Sequence, residues 1–102
     1  MSNNQIKKYQ EMLNSDYKTL LNYLKAKYPL FHNSNFFFRD FQYGLRRFLE
    51  KKEIEVSYQD AEKLAHELGK IFEQQGIFIK VNNLGWKLNY PEFATTQPGD
   101  PL

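Results

Sequence analysis

The chain has 102 residues, 41% hydrophobic and 17% aromatic, which is enough apolar material for one domain with a core and too little for two. A net charge of +2, from 14 basic and 12 acidic residues, excludes a histone-like coat of positive charge and leaves room only for local basic patches. Cysteine is absent, which removes disulfides, thiolate metal sites, iron–sulfur clusters and cysteine nucleophiles together.

Ile6, Tyr9, Leu13, Tyr17, Leu20, Leu21, Leu24 and Tyr28 recur at spacings of three and four. They predict an apolar stripe on one long helix, or on two collinear ones if the Asn14-Ser15-Asp16 stretch interrupts it. Pro29 disfavours helical backbone at Tyr28, so this helix should end near Lys27. Residues 29–35 read as a turn-rich connection, with Ser34 or Asn35 available as an N-cap.

A second helix is predicted from Phe36 to Lys51, with Phe37, Phe38, Phe41, Leu45, Phe48 and Leu49 on its core-facing arc. Gly44 costs that helix about 1 kcal/mol relative to alanine, which a close approach of the first helix would explain. Ile54 and Val56 alternate and suggest a very short strand.

The third helix is the most clearly punctuated. Ser57 and Asp60 fit a capping box, Ala61, Leu64, Ala65, Leu68, Ile71 and Phe72 form a buried face, and Gly76 followed by Ile77 fits a Schellman ending. Ile77, Ile79 and Val81, then a turn over residues 82–85, then Trp86, Leu88 and Tyr90 predict a hairpin with one apolar face. In that register Lys80 and Lys87 lie opposite each other on the outer side, where like charges would favour a nearby anion. Pro91 ends the second strand.

The expected fold is therefore α+β and mainly α: three helices and a C-terminal two-stranded hairpin, the winged-helix arrangement. Residues 1–93 form the single domain, and 94–102 a flexible polar tail. Phe41, Leu45, Phe48 and Leu49 on an aromatic-rich helix, with Ser57, Ala61, Leu68, Gly76, Ile77 and Val81 beyond it, resemble the pattern of DEP-type winged helices. That resemblance spans residues 36–81 and implies docking to proteins or membranes rather than DNA reading. The chain departs from the family in two places: the stretch from Ala61 to Gly76 is about a turn longer, and Gln59 supplies no basic residue after Ser57.

Little in the chain suggests catalysis. It has two histidines, His32 and His66, and neither a phosphate-binding glycine loop nor a nucleophile elbow. Glu62 and His66 are spaced i, i+4, but no third ligand converges on them, so no metal site, no cofactor and no enzymatic activity are expected. No apolar run approaches the roughly 18 residues of a membrane span, and the polar start lacks a signal-peptide core. A cytoplasmic protein without membrane association is the expectation.

Charge is informative by region. Residues 31–52 carry Arg39, Arg46, Arg47, Lys51 and Lys52 against Asp40 and Glu50, whereas residues 53–76 carry six acids against Lys63 and Lys70. An acidic third helix is a poor reader of a groove lined with phosphates. Phe36, Arg39, Tyr43, Arg46 and Arg47 share the arc opposite the core face of the second helix, and aromatic residues and arginine are the types enriched at protein interfaces. The expected function is a non-enzymatic module that binds a protein partner, or its own copy as a homodimer, through those five residues. The alternative is a DNA-binding regulator that contacts nucleic acid through Arg46, Arg47, Lys51, Lys52, Lys80 and Lys87. A third reading is peripheral membrane docking through Phe36 and the arginines.

Overall fold

The N-terminal apolar stripe folds as two helices, α1 (Asn3–Ser15) and α2 (Tyr17–Lys27), separated at Asp16. A capping box opens α1: the Ser2 hydroxyl accepts from the Gln5 N–H, and the Gln5 side chain accepts from the Ser2 N–H. In this computed structural model, which describes residues 1–94, the remaining elements are β1 (Asn35–Phe37), α3 (Phe38–Lys51), α4 (Tyr58–Gln74), β2 (Phe78–Asn82), β3 (Gly85–Leu88) and a single 3-10 turn over Pro91–Phe93. The expected polar tail lies outside the described residues apart from Ala94. The fold is α+β and mainly α. Among the described residues it differs from three helices plus a two-stranded hairpin in having four α-helices and a three-stranded antiparallel sheet, in the order β1-β3-β2.

The extra strand comes from the Phe36-Phe37-Phe38 run. Phe36 pairs with Trp86 and is buried, while Phe37 pairs with Gly85 and is 54% exposed, a period-2 pattern that helix-based reading missed. Helix α3 therefore starts at Phe38, two residues later than expected. Its first N–H groups have no side-chain cap, and the Phe38 N–H donates to Leu84 O in the hairpin turn instead. Ser34 does not cap α3; its hydroxyl closes a turn by accepting from the Phe31 N–H and donating to Phe31 O. Residues 53–56 form no strand, and Glu53 there takes a left-handed φ of 62°.

Gly44 lies where α2 and α3 meet, and a Cβ there would fall 2.3 Å from Leu24 Cδ2. The close approach inferred for this glycine is thus a contact with α2. Helix α4 keeps the Ser57 cap but not the reciprocal half of the expected capping box: Ser57 Oγ accepts from the Asp60 N–H, while the Asp60 carboxylate turns to the Met1 amino group. At the other end the Gly76 and Ile77 N–H groups donate to Glu73 O and Phe72 O. Gly76 takes the φ of 78° that this ending needs.

The hairpin register is where expectation and structure part. Trp86, Leu88 and Tyr90 face inward as expected, but β2 is slipped by one residue: Phe78 pairs with Leu88, Ile79 with Lys87 and Lys80 with Trp86. Ile79 and Val81 consequently point outward and are 48% and 54% exposed. The cause is the end of α4. Ile77 is buried as the residue that closes the Schellman ending, so strand alternation starts at Phe78, whose larger ring takes the inward position. A bulge between Lys80 and Asn82 absorbs the shift before the turn.

The sheet closes over a cluster of rings. Phe78 lies 5.1 Å from Phe41, 5.1 Å from Phe72 and 4.7 Å from Trp86, and Phe36 packs 5.8 Å from Phe41. Trp86 sits on Gly69 of α4, where a Cβ would fall 2.6 Å from its ring, and its Nε1–H donates to Glu73 at 2.8 Å. Helix α1 runs parallel to α4 along one flank. The Met1 amino group is 3.1 Å from Asp60 at the start of α4, and Tyr17 meets Phe72 near its end.

Candidate functional site: an arginine–tyrosine surface on α3

Three of the five candidate partner-binding residues come together on α3, joined by a fourth residue, Tyr58 of α4, that the sequence did not single out. Arg39 Nη1 donates to the Tyr43 hydroxyl at 3.3 Å, and its guanidinium lies 6.0 Å from the Tyr43 ring centroid. The edge of Tyr43 meets Tyr58 at 5.8 Å and 72°. Arg46 stacks on the other side of Tyr58, 4.3 Å from its centroid, and its Nε–H donates to Val56 O at 2.8 Å. The result is a row reading Arg39, Tyr43, Tyr58, Arg46, with Tyr43 37% and Tyr58 54% exposed. Gln42 fastens it by donating to Tyr58 O at 3.1 Å.

The electrostatics of this row follow from what it lacks. Among the described residues the ion pairs within 4 Å are Met1–Asp60 and Arg47–Glu50, so neither Arg39 nor Arg46 is neutralised by a carboxylate. Each guanidinium is instead held over a ring, which fixes its position and leaves donors facing solvent. Such a row can receive carboxylates or carbonyls of another chain between flat aromatic surfaces.

Phe36 and Arg47 belong elsewhere. Phe36 is only 2% exposed, because as the middle residue of β1 it points into the ring cluster; its place in the candidate surface is corrected on that ground. Arg47 points toward a cleft of about 400 Å³ between α2 and α3, lined also by Tyr23, Lys27, Tyr28, Glu50 and Lys51. Burial raises the Tyr28 phenol above its ordinary range, with Asp40 and Tyr23 adding to the effect and Arg47 opposing it.

The six residues considered for nucleic acid do not form one surface. Arg46 is engaged with Val56 and Tyr58, Arg47 and Lys51 line the α2–α3 cleft, and Lys52 lies 5.2 Å over the Phe48 ring. Lys80 pairs with Trp86 on the inward-facing side of the sheet, and Lys87 pairs with Ile79 and Asn35 on the outer side. The slip of β2 separates the two lysines that the expected register had placed together. His66 stacks on Phe38 at 4.4 Å, and His32 Nδ1 accepts from the Tyr90 N–H at 3.0 Å, so His32 fastens the end of the domain instead of standing free in solvent. Among the described residues no three His, Asp or Glu side chains gather as a metal site would require, and no helix is long and apolar enough to cross a membrane.

Tyr58 was hidden because its position, first in the helix after Ser57, reads only as part of a cap. Its signal was the i, i+12 distance from Arg46, which no helical period connects and only the loop at Val56 brings together. Comparison with family models, with curated proteins and with solved structures finds no match to this chain.

Proposed function

We propose that this chain is a non-enzymatic winged-helix interaction module that binds a protein partner, or a second copy of itself, through the Arg39–Tyr43–Tyr58–Arg46 row. The single observation that carries the reading is two arginines without carboxylate partners among the described residues, each fixed on an exposed tyrosine. The order α2, β1, α3, α4, β2, β3 with β3 central is compatible with a winged helix preceded by one extra helix, and the resemblance to DEP-type domains points toward docking. DNA binding fits less well. Helix α1 lies along α4 and forms a groove with Lys63, Glu67 and Lys70, so a DNA groove would meet two helices where it needs one. Lys80 and Lys87, on opposite faces of the sheet, cannot share a phosphate.

The test pairs two titrations on the full chain. Sedimentation measures self-association, and fluorescence anisotropy measures binding to mixed-sequence duplex DNA across a range of salt. Affinity capture is run alongside with the wild-type chain and with a Arg39→Glu, Tyr43→Ala variant. A self-complex or a captured protein that is lost in the variant, with duplex binding no tighter than about 10⁻⁴–10⁻⁶ M at physiological salt, is the expected result. Nanomolar, sequence-selective duplex binding that survives the variant would replace this function with the DNA-binding one.

A further inference from the structure

The cleft between α2 and α3 has a composition that the Arg–Tyr row does not explain. Its walls are Tyr23 and Lys27 with Tyr28 from the end of α2, and Arg47 and Lys51 from α3. Gly44, where the two helices approach closely, also lines it. Both tyrosine rings are anchored from behind: Tyr23 meets Phe48 edge-on at 5.3 Å, and Tyr28 lies 6.0 Å from the buried Phe36. Among the described residues neither phenolic hydroxyl makes a hydrogen bond within the chain.

Two of the cations sit by one ring. Lys27 Nζ lies 5.7 Å and Lys51 Nζ 5.3 Å from the centroid of the same Tyr23 ring, and among the described residues neither ammonium has a carboxylate within ion-pair distance. Arg47 completes the set, with a long, exposed 3.4 Å contact to Glu50 as its ion pair among the described residues. Three cations thus face one carboxylate in the lining, an excess that matches a dianion better than the single charge of a phosphodiester. The donors suit phosphate in kind: a guanidinium fork, two ammonium groups and two hydroxyls. A nucleic-acid strand would call for cations in a track, whereas two of these sit by one ring and the third lines the same cleft.

We infer that the α2–α3 cleft is a recognition site for a phosphate monoester carried on a peptide side chain, seated between Lys27, Arg47 and Lys51 with the Tyr23 and Tyr28 hydroxyls as further donors. The inference rests on the protein-partner reading only for the carrier of the phosphate. Arg47 lies four residues beyond Tyr43 on α3, so a partner lying along the row would bring a modified residue to the cleft.

The test follows backbone amide shifts of the full chain during titration with an alanine peptide bearing a central phosphoserine. The same peptide with serine, inorganic phosphate and a short single-stranded oligothymidylate serve as the other arms. Saturable shifts at Lys27, Tyr28, Gly44, Arg47 and Lys51 with the phosphopeptide are expected, and the serine peptide should leave them unmoved. The Lys27→Ala, Lys51→Ala variant should bind at least about tenfold more weakly. Glu50→Gln should bind more tightly, because it removes the carboxylate that competes for Arg47, an effect that a purely structural role for these residues would not produce. The dispersed amide spectrum of each variant reports that it is folded. Equal binding of the two peptides overturns the inference, as does inorganic phosphate binding as tightly as the phosphopeptide. Tighter binding of the oligonucleotide at the same residues overturns it in favour of nucleic acid. Tyr43→Ala should leave this titration unchanged while breaking contact with the partner, so the cleft and the row can fail separately.

Discussion

The inner face of the sheet carries Phe36, Phe78, Trp86 and Leu88, all buried; the outer face carries Phe37, Ile79 and Val81, each about half exposed. Both faces are apolar, so hydrophobicity alone does not decide which one meets the helices. What differs is the partner each side chain finds. The inner rings lock into Phe41 and Phe72 at centroid distances of 5.1–5.8 Å, whereas on the outer face Phe37 lies opposite Gly85, which has no side chain, and Ile79 opposite Lys87. Large rings that interlock outweigh β-branched residues that merely alternate.

The largest effect should come from the inner face. Trp86→Ala removes a ring that touches Phe41, Phe78 and Gly69 and leaves Glu73 without its donor, so a loss of about 3–5 kcal/mol is expected in chemical denaturation. A loss below about 1 kcal/mol would mean the rings do not govern the register. Gly85→Ala probes the boundary between the two faces. Its Cβ would fall 2.4 Å from Phe36 O and 2.9 Å from Phe37 Cα, backbone atoms that cannot turn aside. Destabilisation of about 1–3 kcal/mol is expected, with lost amide-exchange protection confined to β1 and β3.

Where the inner face ends, Tyr90 gives a pH readout. Its phenol is pushed up to about 12, first by burial and then by its hydrogen bond to Glu92, from an ordinary value of 10.0. Because the folded value is the higher one, the stabilisation is whole below pH 10 and is lost as pH rises through about 12. Tyrosinate absorbance should show a late-titrating phenol that disappears in Tyr90→Phe. The smallest effect belongs to the outer face. Ile79→Thr and Val81→Thr keep the β-branched shape and should each change stability by no more than about 0.5 kcal/mol. A larger loss would show that this face is covered by something.

The two faces also explain how much the sequence could reveal. Helix α4 was legible from Ser57 to Ile77 because its cap, its stripe and its glycine ending are local and agree with one another. The inward positions Trp86, Leu88 and Tyr90 were legible for the same reason. Strand β2 was misread because Ile77 serves the helix and not the strand, and alternation counted from Ile77 puts every later residue on the wrong side. Strand β1 was invisible because three consecutive phenylalanines satisfy helix and strand patterns alike, and only pairing with Trp86, far along the chain, decides between them. In the candidate site, Arg39, Tyr43 and Arg46 were legible from the helical arc. Tyr58 and the Tyr23–Lys27 wall depend on how helices dock, which no local pattern encodes.

The central strand of the sheet is the last of the three to be synthesised. Strands β1 and β2 share no backbone hydrogen bonds with each other, and each pairs with β3. On a ribosome, all four helices can emerge and begin to collapse before any strand has a partner. Through that interval Phe36 and Phe78 have no sheet to hold them over the ring cluster, and β1 and β2 each present unpaired edges. The arrival of Gly85 to Leu88 resolves both at once, so the sheet assembles in one late step and residues 85–88 act as the clasp of the whole fold.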